Sequence, residues 1–253
     1  PSIDILEKNL RELSNDKILA STNNSKNLFN NFQKLSISEL SFSYPGTDKL
    51  LFNNLNMEIQ KGEMVGIIGD SGSGKSTLIN MIMGLINPSK GYIKINNINI
   101  NDDIKGWQKK IGYVPQGIYL TDDTIEKNIA FGCFENEIDK DKIKSCLKLS
   151  QLDRFVETLQ FKSKTLVGER GTKLSGGQIQ RIGIARALYN NCEIMLFDEA
   201  TNALDSQTED EIINSINMFK HNRTIILISH NEKSLKYCNT LYKIENRTLI
   251  RIK

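Results

Sequence analysis

Two periodicities divide the chain. Between residues 35 and 60, apolar and polar positions alternate in two blocks. Leu35, Ile37, Leu40 and Phe42 form one block, and Leu55, Met57 and Ile59 form the next. A period of two predicts strands with one buried face. Tyr44-Pro45-Gly46 between the blocks predicts a turn, so the region reads as antiparallel sheet. After Gly62 the pattern changes to a continuous apolar run over 64–68, as a strand covered on both faces requires. Similar runs recur at 194–197 and 224–229, with shorter strands predicted at 92–95 and 111–114. Helices are predicted at about 75–84, 124–130, 139–149, 175–189 and 205–219. Strands alternating with helices predict an α/β fold with a mainly parallel core sheet.

The first residues stand apart from this scheme. Ile3, Leu6, Leu10 and Leu13 fall on one helical face, and Ser2 is placed to cap it, so 2–19 reads as a helix. Residues 20–34 are polar and Asn-rich without a period, and read as a linker.

Composition narrows the function classes. Hydrophobic residues make up 39% and charged residues 25%, as in an ordinary globular protein. The 33 basic and 30 acidic residues leave a net charge of +3, which does not argue for a nucleic-acid partner. The four cysteines, Cys133, Cys146, Cys192 and Cys238, form no CxxC or Cys/His cluster. That argues against a zinc site and against a disulfide framework. No run approaches the roughly 18 apolar residues of a spanning helix. The opening PSIDILEKNL lacks the basic start and apolar block of a signal peptide. The expectation is a chain that is soluble by itself.

Chemistry enters at residues 69–77, GDSGSGKST, which match G-x-x-x-x-G-K-[ST] at Gly69, Gly74, Lys75 and Ser76. Backbone amides must point inward around a polyphosphate, and Gly69, Gly72 and Gly74 permit the angles and the close approach. The next helix presents free N–H groups to the phosphates. Lys75 brings a cation, and Ser76 brings a hydroxyl for Mg²⁺. Ser71, Ser73 and Thr77 complete the loop. A buried strand before and a helix after supply the required context.

A second cluster follows at 194–199, IMLFDE, an apolar strand ending in two carboxylates. Ligands bind at that end of parallel strands. Asp198 is placed to hold Mg²⁺, and Glu199 to polarise a water. By itself this is also the pattern of a strand ending in an acidic turn; the phosphate loop favours the functional reading.

Residues 174–178, LSGGQ, open a helix with Ile179, Ile182, Ala185 and Leu188 on its apolar face. Ser-Gly-Gly at a helix start is another anion site. One compact domain cannot easily bring both helix starts to one nucleotide, but a second copy could supply the other.

Here the chain resembles the nucleotide-binding domain of ATP-binding cassette (ABC) transporters, over about residues 35–252. GDSGSGKST is similar to the Walker A loop, IMLFDE to the Walker B strand, and LSGGQ is the family signature. Gln116 in YVPQ resembles the Q-loop glutamine, which touches Mg²⁺ and the transmembrane partner. Asn202-Ala203-Leu204-Asp205 resembles the D-loop, with Asn where Ser is commoner. His230, after TIILIS, resembles the switch histidine at the γ-phosphate, and Tyr44 falls where an aromatic ring stacks on adenine. Trp107, the only tryptophan, reads as packing.

The resemblance implies an ABC ATPase fold: a RecA-like core sheet, an antiparallel β subdomain, and a helical signature subdomain over about 117–190. It implies an ATPase using ATP and Mg²⁺, with Ser76, Gln116 and Asp198 near the metal. Lys75, Gln116, Glu199 and His230 would carry catalysis. Two copies would pair head to tail, each placing Ser175, Gly176, Gly177, Gln178 and Asp205 against the other's nucleotide.

TLVGERG at 165–171 is similar to the exporter segment that touches the membrane domain, with Glu169 carrying the contact. On this reading residues 1–34 lead from an upstream transmembrane domain, and the ATPase sits at the cytoplasmic face of the membrane. The stretch 106–132 resembles flippases of lipid-linked oligosaccharides or polysaccharides, with related wording in toxin and peptide exporters. A cassette serving a separate membrane subunit, a non-transport ABC ATPase and a regulatory module without turnover are the alternatives.

Overall fold

The computed structural model describes residues 27–47, 49–190, 192–200, 206–219, 223–229 and 235–253. β1 (Lys34–Phe42) and β2 (Phe52–Gln60) pair antiparallel, with Leu35 opposite Ile59 and Ile37 opposite Met57. All seven apolar residues of the two predicted blocks are buried. β4 (Lys90–Ile95) pairs with the other side of β1, and β5 (Ile98–Asn99) completes a four-stranded antiparallel sheet. Asn96 and Asn97 join β4 to β5 with φ of 48° and 76°, the left-handed turn that a tight hairpin needs.

The second sheet has six strands in the order β10-β9-β3-β8-β7-β6. β3 (Met64–Gly69) lies between β8 (Thr224–Ile228) and β9 (Thr240–Glu245), parallel to both. β7 (Ile194–Asp198) runs parallel between β8 and β6 (Ile111–Val114). β10 (Thr248–Arg251) is the one antiparallel addition, on β9.

Alternation along these strands feeds two cores. Val65, Ile67, Leu196 and Ile226 enter the core shared with the antiparallel sheet and α1 (Lys75–Ile82). Met64, Phe197, Ile225 and Leu227 enter the other, shared with the helices of residues 125–216. Both faces are covered, which is why these strands read as unbroken apolar runs. In the second core α3 (Ile125–Ile129) and α4 (Lys140–Leu149) pack on α6 (Gly176–Tyr189), and α5 (Asp153–Thr158) follows α4. Thr124 and Asp139 cap α3 and α4 with side-chain oxygens. α7 (Ser206–Phe219) sits between β7 and β8 in sequence and buries Ile212, Ile213 and Ile216.

α2 (Ile104–Gln108) carries Trp107, which is fully buried. Its indole Nε1 donates to Ile82 O at 2.7 Å, closing the end of α1. The stretch expected to be a linker is packed from its last turn onward. Phe29 and Phe32 are 1% exposed, and the Phe29 ring meets the edge of Trp107 at 5.8 Å. Leu28 N donates to Asp103 and Phe32 N to Glu193. Two phenylalanines outweigh the asparagines around them, because fully burying each ring is worth about 1.5–3 kcal/mol. The helix expected over 2–19 and the linker up to residue 26 lie outside the described residues. Among the described residues no helix is long and apolar enough to cross a membrane.

Candidate active site

The phosphate loop joins β3 to α1. Gly74, the N-cap, has φ 102°, and a Cβ there would stand 2.6 Å from Phe52 Cζ, so only glycine fits. Gly72 is also left-handed, at φ 77°. Ser73 N donates to Asp70 O at 3.1 Å and closes the turn. α1 has no acidic residue in its first turn and no side-chain cap. Its N-terminal N–H groups and partial positive charge are therefore left for a ligand. Lys75 is buried and folds back along the loop, donating from Nζ to Gly69 O at 2.8 Å and Asp70 O at 3.0 Å.

β7 ends beside this loop. Ser76 Oγ donates to Asp198 Oδ1 at 3.2 Å, and Tyr113 OH donates to Asp198 Oδ2 at 3.4 Å. Burial raises the Asp198 carboxyl above its usual range, and the nearby Glu199 charge adds to that. The Ser76 bond, the Tyr113 bond and Lys75 pull the other way. Burial, then the Asp198 charge, pushes the Tyr113 phenol up to about 12, so at neutral pH it is a donor. Glu199 turns out of the strand with φ 50°, an uncommon angle for a non-glycine residue and of the kind that clusters at functional sites. Gln116 Nε2 donates to its Oε2 at 3.3 Å.

These groups line one cavity of about 350 Å³, within the range of small-molecule sites. Ser71, Gly72, Gly74, Lys75, Ser76 and Thr77 supply its floor. Gln116, Asp198 and Glu199 form one wall, and Tyr44 and Leu51 another. The Tyr44 hydroxyl and Thr77 Oγ1 are 2.8 Å apart, and the ring, packed on Phe42 at 5.0 Å, stays half-exposed.

The residues fit a nucleotide with magnesium. The uncapped start of α1 and the buried Lys75 Nζ stand at the cavity floor, where an anionic phosphate needs donors and positive charge. Among the described residues there is no group of three or more His, Cys, Asp or Glu able to hold a metal. The donors at hand are the oxygens of Ser76, Asp198 and Gln116. That small set suits Mg²⁺, which binds by one or two carboxylates plus phosphate oxygens.

The predicted site residues divide into three groups. Tyr44, Ser71, Gly72, Gly74, Lys75, Ser76, Thr77, Gln116, Asp198 and Glu199 are brought together around the cavity, while Gly69 and Ser73 belong to the loop without lining it. Ser175, Gly176, Gly177 and Gln178 do not line the cavity; they form the start of α6. There Ser175 Oγ accepts from Gln178 N, and Gln178 Oε1 accepts from Ser175 N, a reciprocal cap. Glu169 is exposed on a short turn and also does not line the cavity. His230 and Asn202 to Asp205 lie outside the described residues. Sequence reasoning missed Leu51 and Tyr113. Leu51 follows the turn and carries no motif. Tyr113 could have been found only from the pairing of β6 with β7.

Comparison with known proteins identifies the family and the fold. The ABC transporter family profile matches residues 52–202, more than half of the chain. A lipid A-core flippase of Shewanella frigidimarina, described as ATP-dependent, is 35% identical over 219 residues. That covers 86% of this chain and 36% of the flippase. ABC transporter B family member 18 of Arabidopsis thaliana is 36% identical over 219 residues, covering 86% of this chain and 18% of that protein. Among solved structures, a bacterial Atm1-family ABC exporter with ATP bound superposes with a TM-score of 0.81 at 31% identity. The match covers 96% of this chain and 43% of the exporter chain. The chain thus spans less than half the length of each of these three proteins. With the phosphate loop, the carboxylate strand and the signature helix all in place, the chain belongs to the ABC transporter family and has the fold of its ATPase domain.

Proposed function

We propose that this chain is the ATP-hydrolysing domain of an ABC exporter, and that two copies close head to tail around two ATP molecules. The cavity carries this reading. It gathers a lysine, hydroxyl donors, a glutamine and two carboxylates, while the signature helix start does not line it. A second copy would bring its own Ser175–Gln178 to the open side, giving an interface with two equivalent sites.

The chemistry is mostly positioning and electrostatics. The loop amides and Lys75 bind the phosphates, with Lys75 held in place by the Gly69 and Asp70 carbonyls. Ser76 and Asp198, with Gln116, would hold the metal. Magnesium, when bound, neutralises charge on the phosphate oxygens. Glu199 orients the attacking water, and Gln116 holds the Glu199 carboxylate in place. His230 and Asp205 are assigned to the γ-phosphate and the partner's site on their motifs alone.

The domain would sit at the cytoplasmic face of a membrane and touch its transmembrane domain through the Gln116 and Glu169 regions. Its cargo is proposed to be a lipid-linked glycan. Support comes from the 106–132 stretch and from the flippase relative, described as acting on lipid A-core. In liposomes, ATP turnover by the transporter containing this chain should rise with a lipid-linked oligosaccharide and ignore peptides. Stimulation by peptides alone would reverse the cargo assignment. Absence of any Mg²⁺-dependent ATP turnover would overturn the ATPase reading itself.

A further inference from the structure

We infer that Tyr113 is a positioning residue for Asp198, so that the segment 113–116 holds both carboxylates of the site at once. The inference rests on reading Asp198 as the carboxylate that holds the metal.

Strand pairing puts the phenol where it is. β6 and β7 are parallel with Tyr113 opposite Leu196. Side chains two apart on a strand share a face, so Tyr113, Leu196 and Asp198 lie on one side of the sheet. Leu196 packs in the core with α1, so this is the side on which α1 and the phosphate loop stand. Tyr113 OH reaches Asp198 Oδ2, while Ser76 Oγ takes Oδ1. Each oxygen of the carboxylate is thus held by a hydroxyl from a different element. Two donors fix its plane, where one would leave it free to rotate about χ2.

The same segment holds the neighbouring acid, since Gln116 Nε2 donates to Glu199 Oε2. Pro115 stands between the two holding residues and fixes one backbone angle of the link. Behind them β6 is firmly seated. Val114 is buried in the opposite core, and a Cβ on Gly112 would stand 2.7 Å from Cys192 Sγ. Tyr113 is thus presented to Asp198 from a fixed strand, while Gln116 reaches Glu199 from the loop that follows it.

Tyr113→Phe removes only the hydroxyl from a partly exposed ring, and the thermal midpoint should stay within a few degrees of wild type. The probe is a non-hydrolysable ATP analogue, titrated calorimetrically into the 253-residue chain with Mg²⁺ and again with EDTA. Tyr113→Phe should weaken binding about tenfold in Mg²⁺, the scale of one hydrogen bond to a charged group. In EDTA its affinity should match wild type. In an Asp198→Asn background the same change should add nothing, because the carboxylate it positions is gone. An unchanged Mg²⁺ advantage in Tyr113→Phe overturns the inference. So does an equal effect with and without Asp198. If Asp198→Asn itself keeps the full Mg²⁺ advantage, the reading of the site fails instead.

Discussion

Lys75 Nζ lies 3.9 Å from Glu199 Oε1, so the loop cation and the carboxylate at the end of β7 face each other across the cavity. Lys75 is buried, while Glu199 keeps partial access to solvent. The lysine is already committed to two loop carbonyls. Its remaining N–H is directed by the loop, and Glu199 is held from its other oxygen by Gln116. The two groups are thus set in position before a nucleotide arrives, which is what electrostatic preorganisation requires.

Glu199→Gln keeps the shape of this arrangement and removes the base. Steady-state phosphate release should fall by about a hundredfold or more. Binding of ATP, followed by fluorescence of a labelled analogue, should stay within a few-fold of wild type. Wild-type turnover in this variant would refute the role of Glu199.

Ser175→Arg places a large cation at the start of α6 and removes the reciprocal cap with Gln178. Loss of the cap costs about 1 kcal/mol, which the domain can tolerate. Nucleotide binding to the single chain should persist, since Ser175 does not line its cavity. Light scattering should show ATP-dependent dimers for Glu199→Gln and none for Ser175→Arg/Glu199→Gln. Dimers of unchanged strength in the double variant would count against the head-to-tail arrangement.

Phe32→Ala tests the packed end of the expected linker. The ring is 1% exposed, and Phe→Ala at such sites costs about 3–5 kcal/mol. Urea unfolding should show that loss. A change below about 1 kcal/mol would mean that the segment does not belong to the core.

The thiols separate by burial. Cys133 is exposed, and Cys146, Cys192 and Cys238 are buried. A thiol reagent at neutral pH should label one site rapidly, and Cys133→Ser should abolish that fast phase. Burial pushes Cys146 up to about 11 and Cys238 up to about 12, from an ordinary 9.0. The native state keeps these protons where the unfolded chain releases them. Their contribution is complete below pH 9.0 and is lost as pH rises through 11 to 12. Urea unfolding across that range should show the decline, and Cys238→Ala should flatten it. A variant with the wild-type slope would exclude Cys238 as a source.

Much of the site was legible because its chemistry is local. A phosphate loop needs glycines, a lysine and a hydroxyl within nine consecutive residues, 69–77, and a strand and helix at its ends. The unbroken apolar runs of β3, β7 and β8 identified strands covered on both faces, and the helix starts at Lys75 and Gly176 were readable from their caps and glycines. Gln116, Asp198 and Glu199 were placed in the site by motif.

Other features depend on partners distant in the chain. β9 and β10 were not predicted, and β9 forms against the edge of β3, more than 170 positions earlier, as Val65 opposite Thr240 shows. Phe29 and Phe32 looked like linker residues until Trp107, Asp103 and Glu193 were brought beside them. Tyr113 reads as an ordinary strand aromatic, and only the register of β6 on β7 aims its hydroxyl at Asp198. The sequence by itself determined which short segment forms the glycine-rich loop and which strands are buried, since both follow from residue types within one turn or one strand. The tertiary structure alone decided which side chains meet across β6, β7 and α1. Register and packing are properties of paired elements, and no single segment contains them.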